Sequence, residues 1–520
     1  MSKFLRRTDS RTKNTIRNIS TGLVTKLLNI ILPFIVRTLI IKLLGSEFAG
    51  LSSLFTSILQ VLSVAELGFA SAITFSMYRP IASSDTEEIN RLLTLYRSIY
   101  WIVGTTILVI GLIICPFIGY FINGTYPDNI NIYILYGIYL ANTVISYFFY
   151  GYKSVILTAY QRRDFINNIE SLTLFLRSII QIVVLIFTKN FYLYIIFLPI
   201  FTLISNLIMN VISNKVYPEI KCNKIFSLKG LKNISKQIGG VALGKVSVIA
   251  RNGFDSIILT SLFGLVVSSI YSNYYYIFSA VSGVLAVILQ AMSASIGNSL
   301  ATESIDKNYS DHLKYDFCYQ FITSICTVCM FCLYQPFMKI WVGEELMFNN
   351  ITVILFCVYF YTNNLAQIRS VYSESAGLWW HFRYLTIAEM VSNLILNFVL
   401  GYFLGVNGII LATIITSVLS SFVGITIVVF KKLFKHSPAK YYLYNIIYML
   451  ITLVGCILTY SVCSLINIDG LLGFFVNMIV CGCFSAVYFI IIYVLIKPMR
   501  EYLKWILNVI KFRIFKLKEE

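Results

Sequence analysis

The sequence predicts an all-α polytopic membrane protein, and three observations carry that prediction. Of its 520 residues, 58% are hydrophobic and only 12% are charged, about half the charged share of an ordinary soluble domain. Apolar runs of about 20 residues, long enough to cross a bilayer as a helix, recur along the whole chain. Lys and Arg gather in alternate connections between those runs, which is the charge pattern of a multi-span protein. The net charge of +18 therefore calls for no nucleic acid. It belongs to polar connections that face membrane lipid headgroups.

Apolar runs against polar breaks give about fourteen spans. They cover 19–44, 50–78, 98–121, 131–155, 169–188, 191–213, 239–263, 268–298, 318–341, 351–373, 384–404, 408–430, 443–466 and 473–496. About 32 Lys and Arg lie in one alternating set of connections and about three, Lys42, Lys189 and Lys339, in the other. Both termini are thus expected on the cytoplasmic side, which requires an even number of spans. The outer connections are all short, which argues against a membrane polymerase or ligase that holds its sugar substrate in an external domain.

A weak internal repeat organises the spans. Aligning Gly22 with Gly240 sets Arg37 opposite Asp255 and brings Gly45 within one residue of Gly264. Both copies enter from the same side, so the repeat is a parallel one. The expected organisation is a basic N-terminus (1–18), an N-lobe of six helices (19–213), a basic cytoplasmic linker (214–238) and a C-lobe of six helices (239–430). Two further helices (431–496) and an amphipathic cytoplasmic tail (497–520) complete it.

Several chemistries are excluded. Eleven Cys lie almost entirely inside apolar runs, so they form no disulfide framework, and Cys326, Cys329 and Cys332 read as packing residues of one helix. His312, His381 and His436 fall in polar connections far apart in sequence and offer no catalytic or metal constellation. The basic start precedes a run too long for a signal peptide and lacks a clear cleavage site. Gly239 to Lys245 resembles a phosphate loop, but Val246 stands where Ser or Thr is required and no strand precedes it. No enzyme activity, cofactor or metal is expected, and uphill transport would draw on an ion gradient or membrane potential.

The informative residues are charges inside the apolar runs, where an isolated charge costs about 3 kcal/mol or more and so lines a cavity or has a partner. Helical spacing arranges them in stripes: Lys26, Asn29, Pro33 and Arg37 in the first span, and Glu170, Thr173, Arg177 and Gln181 in the fifth. The seventh carries Lys245, Arg251, Asn252 and Asp255, with Arg251 and Asp255 one turn apart. The tenth has Asn363, Gln367, Ser370 and Glu374 beside Arg369, and the eleventh has Thr386, Glu389, Asn393 and Asn397. Lys26 and Lys245 lie near span ends, where snorkelling is an even alternative. The balance is cationic and suits an anionic substrate, since Arg pairs with phosphate oxygens and Lys supplies a compact charge. Candidate substrate contacts are Lys26, Arg37, Arg177, Lys245, Arg251 and Arg369. Glu66 and Asp255 are the candidates for binding a coupling ion, and Glu66 has no acidic repeat counterpart, Leu285 standing there.

With these residues in view, the chain resembles the polysaccharide transporter (Wzx-like oligosaccharide flippase) family of the multidrug/oligosaccharidyl-lipid/polysaccharide exporter superfamily. Arg37 at the end of a polar stripe, LLGSEFAGL (Leu43 to Leu51), LSVAELGFASAI, and the stretch Tyr78 to Gly104 carry the resemblance. It implies two six-helix lobes around a cleft that opens alternately to either side of a bacterial plasma membrane. It also implies a polyprenyl-pyrophosphate-linked oligosaccharide as substrate, H+ or Na+ as coupling ion, and a polymerase and glycosyltransferases as working partners in capsule or related polysaccharide biosynthesis. A peptidoglycan lipid-precursor flippase is a close alternative, and a cation-coupled multidrug exporter of the same superfamily is a second.

Overall fold

The computed structural model describes residues 11–66, 68–222, 231–466, 468 and 470–519, and their side chains apart from those of 11–16, 19, 64, 65, 231–248, 250, 252, 294 and 509–519. Among the described residues every regular element is helical. Two compact units divide the chain, Met1–Ser272 and Asn273–Glu520.

The first unit contains α1 (Arg11–Leu43), α2 (Ser46–Leu62), α3 (Phe69–Ala82), α4 (Thr86–Ile114), α5 (Ile132–Phe148), α6 (Ser154–Ala159), α7 (Arg163–Thr188) and α8 (Phe191–Val216). Helix α9 (Leu231–Thr302) begins in it and ends in the second unit. The second unit continues with α10 (Ile305–Val342), α11 (Asn350–Asn364), α12 (Gln367–Ser375), α13 (Arg383–Leu404) and α14 (Val406–Thr416). It ends with α15 (Thr426–Val429), α16 (Ala439–Cys463), α17 (Gly470–Leu495) and α18 (Lys497–Glu519).

Among the described residues eleven helices are long and apolar enough to cross a membrane, or twelve when the bent pair Ile132–Phe148 and Gly151–Ala159 counts as one span. About fourteen spans were expected, and backbone breaks explain the difference. The expected second span is not continuous: α2 ends at Leu62, a 3-10 turn runs Ser63–Glu66, and Gly68 at φ 109° starts α3. The expected seventh and eighth spans run together as α9, which is interrupted only at Gly264, with φ 81° and ψ −179°. Only glycine takes that conformation readily.

The Gly264 break interrupts the helical hydrogen-bond ladder and leaves the carbonyls before it to find other donors. Asn123 satisfies them: its backbone N–H donates to Thr260 O at 3.1 Å, and its side-chain amide donates to Leu262 O at 2.6 Å. Thr260 Oγ1 donates to Ser268 Oγ across the break at 2.8 Å. Helix α2 closes against the same place. A Cβ built on Gly50 would lie 2.3 Å from Leu265 O, so only glycine admits this approach. Gly50→Ala is expected to lower stability by about 1–3 kcal/mol, read as a lower unfolding midpoint of the purified protein in detergent. Gly137→Ala, whose Cβ would meet nothing within 4 Å, is the control and should leave the midpoint unchanged.

Helix α1 packs along α7, and polar side chains fix the register. Thr25 Oγ1 donates to Asn167 O at 3.1 Å and sits 2.7 Å from Ser171 Oγ. At the start of α7 the buried Asp164 carboxylate takes Arg17 and Arg162, each at 3.0 Å, while its backbone N–H donates to Asn18 Oδ1 at 2.9 Å. This register carries the two polar stripes of α1 and α7 on adjoining helices.

In the second unit, α16 and α17 pack on α10 around Phe317, Val328, Tyr448, Phe489 and Tyr493. Met499, at the start of α18, joins that core. The tail is helical, and Lys314 lies 5.7 Å from the Trp505 ring centroid.

Candidate functional site

Arg37 and Arg177 come together in the first unit. The α1 stripe turns Arg37 inward, half-buried, and its Nη2 donates to Ser269 O at 3.3 Å. The α7 stripe turns Arg177 inward one turn before the buried Gln181, whose amide donates to Tyr194 O at 3.2 Å. Tyr194, on α8, lies within electrostatic reach of both guanidinium groups, and Tyr139, on α5, within reach of Arg37. Four helices thus concentrate two positive charges around buried tyrosines. Arg177 Nε is buried without a hydrogen-bond partner among the described residues. A guanidinium left so carries donors for an oxygen-rich anion.

The other ends of both stripes lie outside. Lys26 is exposed on α1, and Asn29 turns back to Thr25 O at 2.9 Å. Glu170 is exposed at the other end of the α7 stripe.

Glu66 occupies the break between α2 and α3, and tyrosines surround it. Tyr100 donates to Glu66 Oε1 at 2.5 Å. The Tyr96 hydroxyl lies 3.5 Å from the same oxygen and 3.1 Å from the Tyr100 hydroxyl. Tyr147, on α5, lies within electrostatic reach of Glu66. Spacing puts Tyr96 and Tyr100 one turn apart on α4, facing one carboxylate. No Lys or Arg pairs with Glu66 among the described residues. Sequence reasoning singled out Glu66 but not its tyrosines, although their spacing of four was legible.

On α9, Arg251 and Asp255 are both buried and both have interaction partners. The side chain of Lys245 lies outside the described residues. Arg369 belongs to the second unit, where it is 1% exposed. The chain's own oxygens take its terminal nitrogens: Nη1 donates to Ser421 O at 2.9 Å and Nη2 to Ser370 Oγ at 3.0 Å. The α13 stripe faces α14, with Asn393 donating to Thr413 Oγ1 at 3.1 Å and Asn397 donating to Asn393 Oδ1 at 3.3 Å.

One expectation is corrected. His312 does not lie in a polar connection; it is fully buried on α10, among Tyr372, Phe430, Phe434 and Tyr441. Helix α10 begins at Ile305, capped by Ser304, whose side chain accepts from Lys307 N. Its first turns are therefore packed protein rather than loop. One turn on, the equally buried Asp316 sits in the same polar-looking stretch of sequence. The cysteines also gather more than sequence spacing suggests. The thiol sulfurs of Cys332, Cys463 and Cys481, from three helices, all lie within 4.8 Å of one another, and Cys329 Sγ is 3.7 Å from Cys481 Sγ. They stand against the α10–α17 core and present soft ligand atoms.

No family model matches the sequence, and no curated protein matches it. Solved structures do. The lipid II flippase MurJ in its inward closed conformation superposes with a TM-score of 0.63 at 15% identity, over 92% of this chain and 99% of that one. An inward-facing multidrug resistance MATE family transporter of the MOP superfamily gives 0.56 at 14% identity, over 79% and 96%. A Vibrio cholerae MATE transporter gives 0.56 at 14% identity, over 83% and 97%. The chain has the fold of these transporters.

Proposed function

We propose that this protein is a flippase that moves a polyprenyl-pyrophosphate-linked oligosaccharide from the cytoplasmic to the outer leaflet of a bacterial plasma membrane by alternating access. Arg177 carries the reading: a guanidinium in a membrane-spanning helix, its Nε unpartnered among the described residues and a second arginine acting on the same tyrosine, offers its donors to an anion. Pyrophosphate meets Arg37 and Arg177 with paired charge-assisted bonds, while the polyprenyl tail stays in lipid. Lys26, Lys245, Arg251 and Arg369 are the further proposed contacts along the path. Glu66 and Asp255 are the proposed sites for H+ or Na+. The two-lobe organisation, cytoplasmic termini and partnership with a polymerase and glycosyltransferases belong to the same proposal.

The breadth of structural likeness supports a lipid-linked substrate over a drug. The MurJ match extends over 92% of the chain against 79% and 83% for the two MATE transporters. It equally favours a second reading, a peptidoglycan lipid-precursor flippase, whose substrate presents the same pyrophosphate. Deleting the gene and analysing lipid-linked intermediates separates the readings. Complete oligosaccharide repeat units should accumulate in the inner leaflet. Accumulation of the peptidoglycan precursor would favour the second reading, and loss of repeat-unit assembly would overturn both.

A further inference from the structure

All eleven cysteines of the chain are free, and three from different helices converge inside the second unit. Cys332 comes from α10, Cys463 is the last residue of α16, and Cys481 lies in α17. Their sulfurs all stand within 4.8 Å of one another. Cys481 is 0% exposed and Cys332 6%, while Cys463 is half-buried, so the group is open at one edge. Cys329, one turn before Cys332 on α10, brings a fourth sulfur to 3.7 Å from Cys481 Sγ.

Packing alone accounts for a single buried cysteine, because a thiol is a small, polarizable, weakly polar group. It does not require three helices to present their sulfurs to one point. The spacing matches what a thiophilic ion needs. Sulfurs bound at about 2.3 Å lie about 3.8 Å apart around a tetrahedral ion and about 4.0 Å apart around a trigonal one. A contraction of less than about 1 Å therefore closes the shell. The ligand set is also all sulfur. Among the described residues no His, Asp or Glu belongs to the group, and α10 over 317–338, α16 after Lys440 and all of α17 carry no charged residue. Soft thiolates select Cu(I) or Zn2+ over hard cations such as Mg2+ and Ca2+, which take oxygen ligands.

We propose that Cys332, Cys463 and Cys481 bind one thiophilic metal ion, Cu(I) or Zn2+, that clasps α16 and α17 to α10. The ligand is the thiolate, so each ligating thiol gives up its proton to solvent and binding weakens as pH falls. The two ions differ in what they ask of Cys329. Three sulfurs complete a trigonal shell for Cu(I). A structural Zn2+ site takes four ligands, and Cys329 is the sulfur at hand for the fourth. The clasp holds the same three helices whatever the protein transports.

The test needs no transport substrate. The purified full chain, reduced and kept free of oxygen in detergent, is titrated with Cu(I) against a competing chelator and separately with Zn2+. One equivalent should be retained, and the unfolding midpoint should rise with the free ion. Cys463→Ser removes one ligand at a half-buried position. It should weaken binding by at least about a hundredfold, more than the roughly 10–100-fold cost of losing an outer-shell partner. Cys481→Ser should do the same, and Cys463→Ser carries the test if Cys481→Ser does not fold. Cys483→Ser, at an exposed position of α17, should bind as the unmodified protein does. Cys329→Ser separates the ions, lowering the affinity for Zn2+ and leaving that for Cu(I) unchanged. Failure to retain either ion, retention undiminished in Cys463→Ser and Cys481→Ser, or an equal loss in Cys483→Ser would overturn the proposal.

Discussion

Arg177→Ala is expected to bring flipping of a pyrophosphate-linked lipid close to background in reconstituted vesicles, with the protein still inserted and folded. Charge-assisted hydrogen bonds contribute about 1.5–3 kcal/mol each, so losing a paired contact to pyrophosphate lowers transport by about tenfold to a hundredfold or more. Folding should survive because Arg177 makes no ion pair among the described residues and its Nε has no hydrogen bond to lose. Arg177→Lys keeps the charge without the planar fork and should retain partial transport. Glu170→Gln, on the same helix at an exposed position, should leave transport unchanged. Undiminished flipping by Arg177→Ala, measured at equal protein in the membrane, would remove the arginine from the substrate path. A fall in transport matched by an equal fall in the unfolding midpoint would mark it as structural.

Why Arg177 was legible in the sequence and His312 was not is a matter of what surrounds each. A charge in an apolar run violates the local pattern, and the spacing of Thr173, Arg177 and Gln181 assigns it a helix face. His312 and Asp316 sit beside Tyr309, Asp311 and Lys314, so the local composition reads as a polar connection. Only the contacts of α10 with α12, α16 and the aromatic rings of 430 and 434 bury them, and these contacts join residues more than fifty positions apart. The breaks follow the same logic. Gly68 and Gly264 are visible as glycines, yet a continuous helix satisfies the hydropathy pattern equally well. The partner that makes a break tolerable, Asn123 for Gly264, comes from a distant connection. The arginines of α1 and α7 were predicted separately; that they meet at Tyr194 depends on the Thr25–Asn167–Ser171 register, which pairwise packing sets.

Glu66→Gln is expected to uncouple transport from the driving ion without stopping substrate binding. In the native protein the carboxylate holds two tyrosine hydroxyls at the point where the helical backbone is interrupted, and a membrane tolerates such a break only where neighbouring groups satisfy it. Glutamine keeps an acceptor oxygen for Tyr100 and removes the charge, so the fold should persist. Vesicles carrying the unmodified protein should flip faster under an imposed H+ or Na+ gradient, and those carrying Glu66→Gln should flip at the same rate with and without it. Glu66→Leu removes the acceptor of the buried Tyr96 and Tyr100 hydroxyls, a loss of about 1–3 kcal/mol for each hydroxyl left unsatisfied, and should lower the unfolding midpoint as well. If Glu66→Gln preserves the gradient response, the carboxylate serves the backbone break and not coupling. If the unmodified protein responds to neither gradient nor to voltage, flipping is facilitated and Glu66 loses its coupling role.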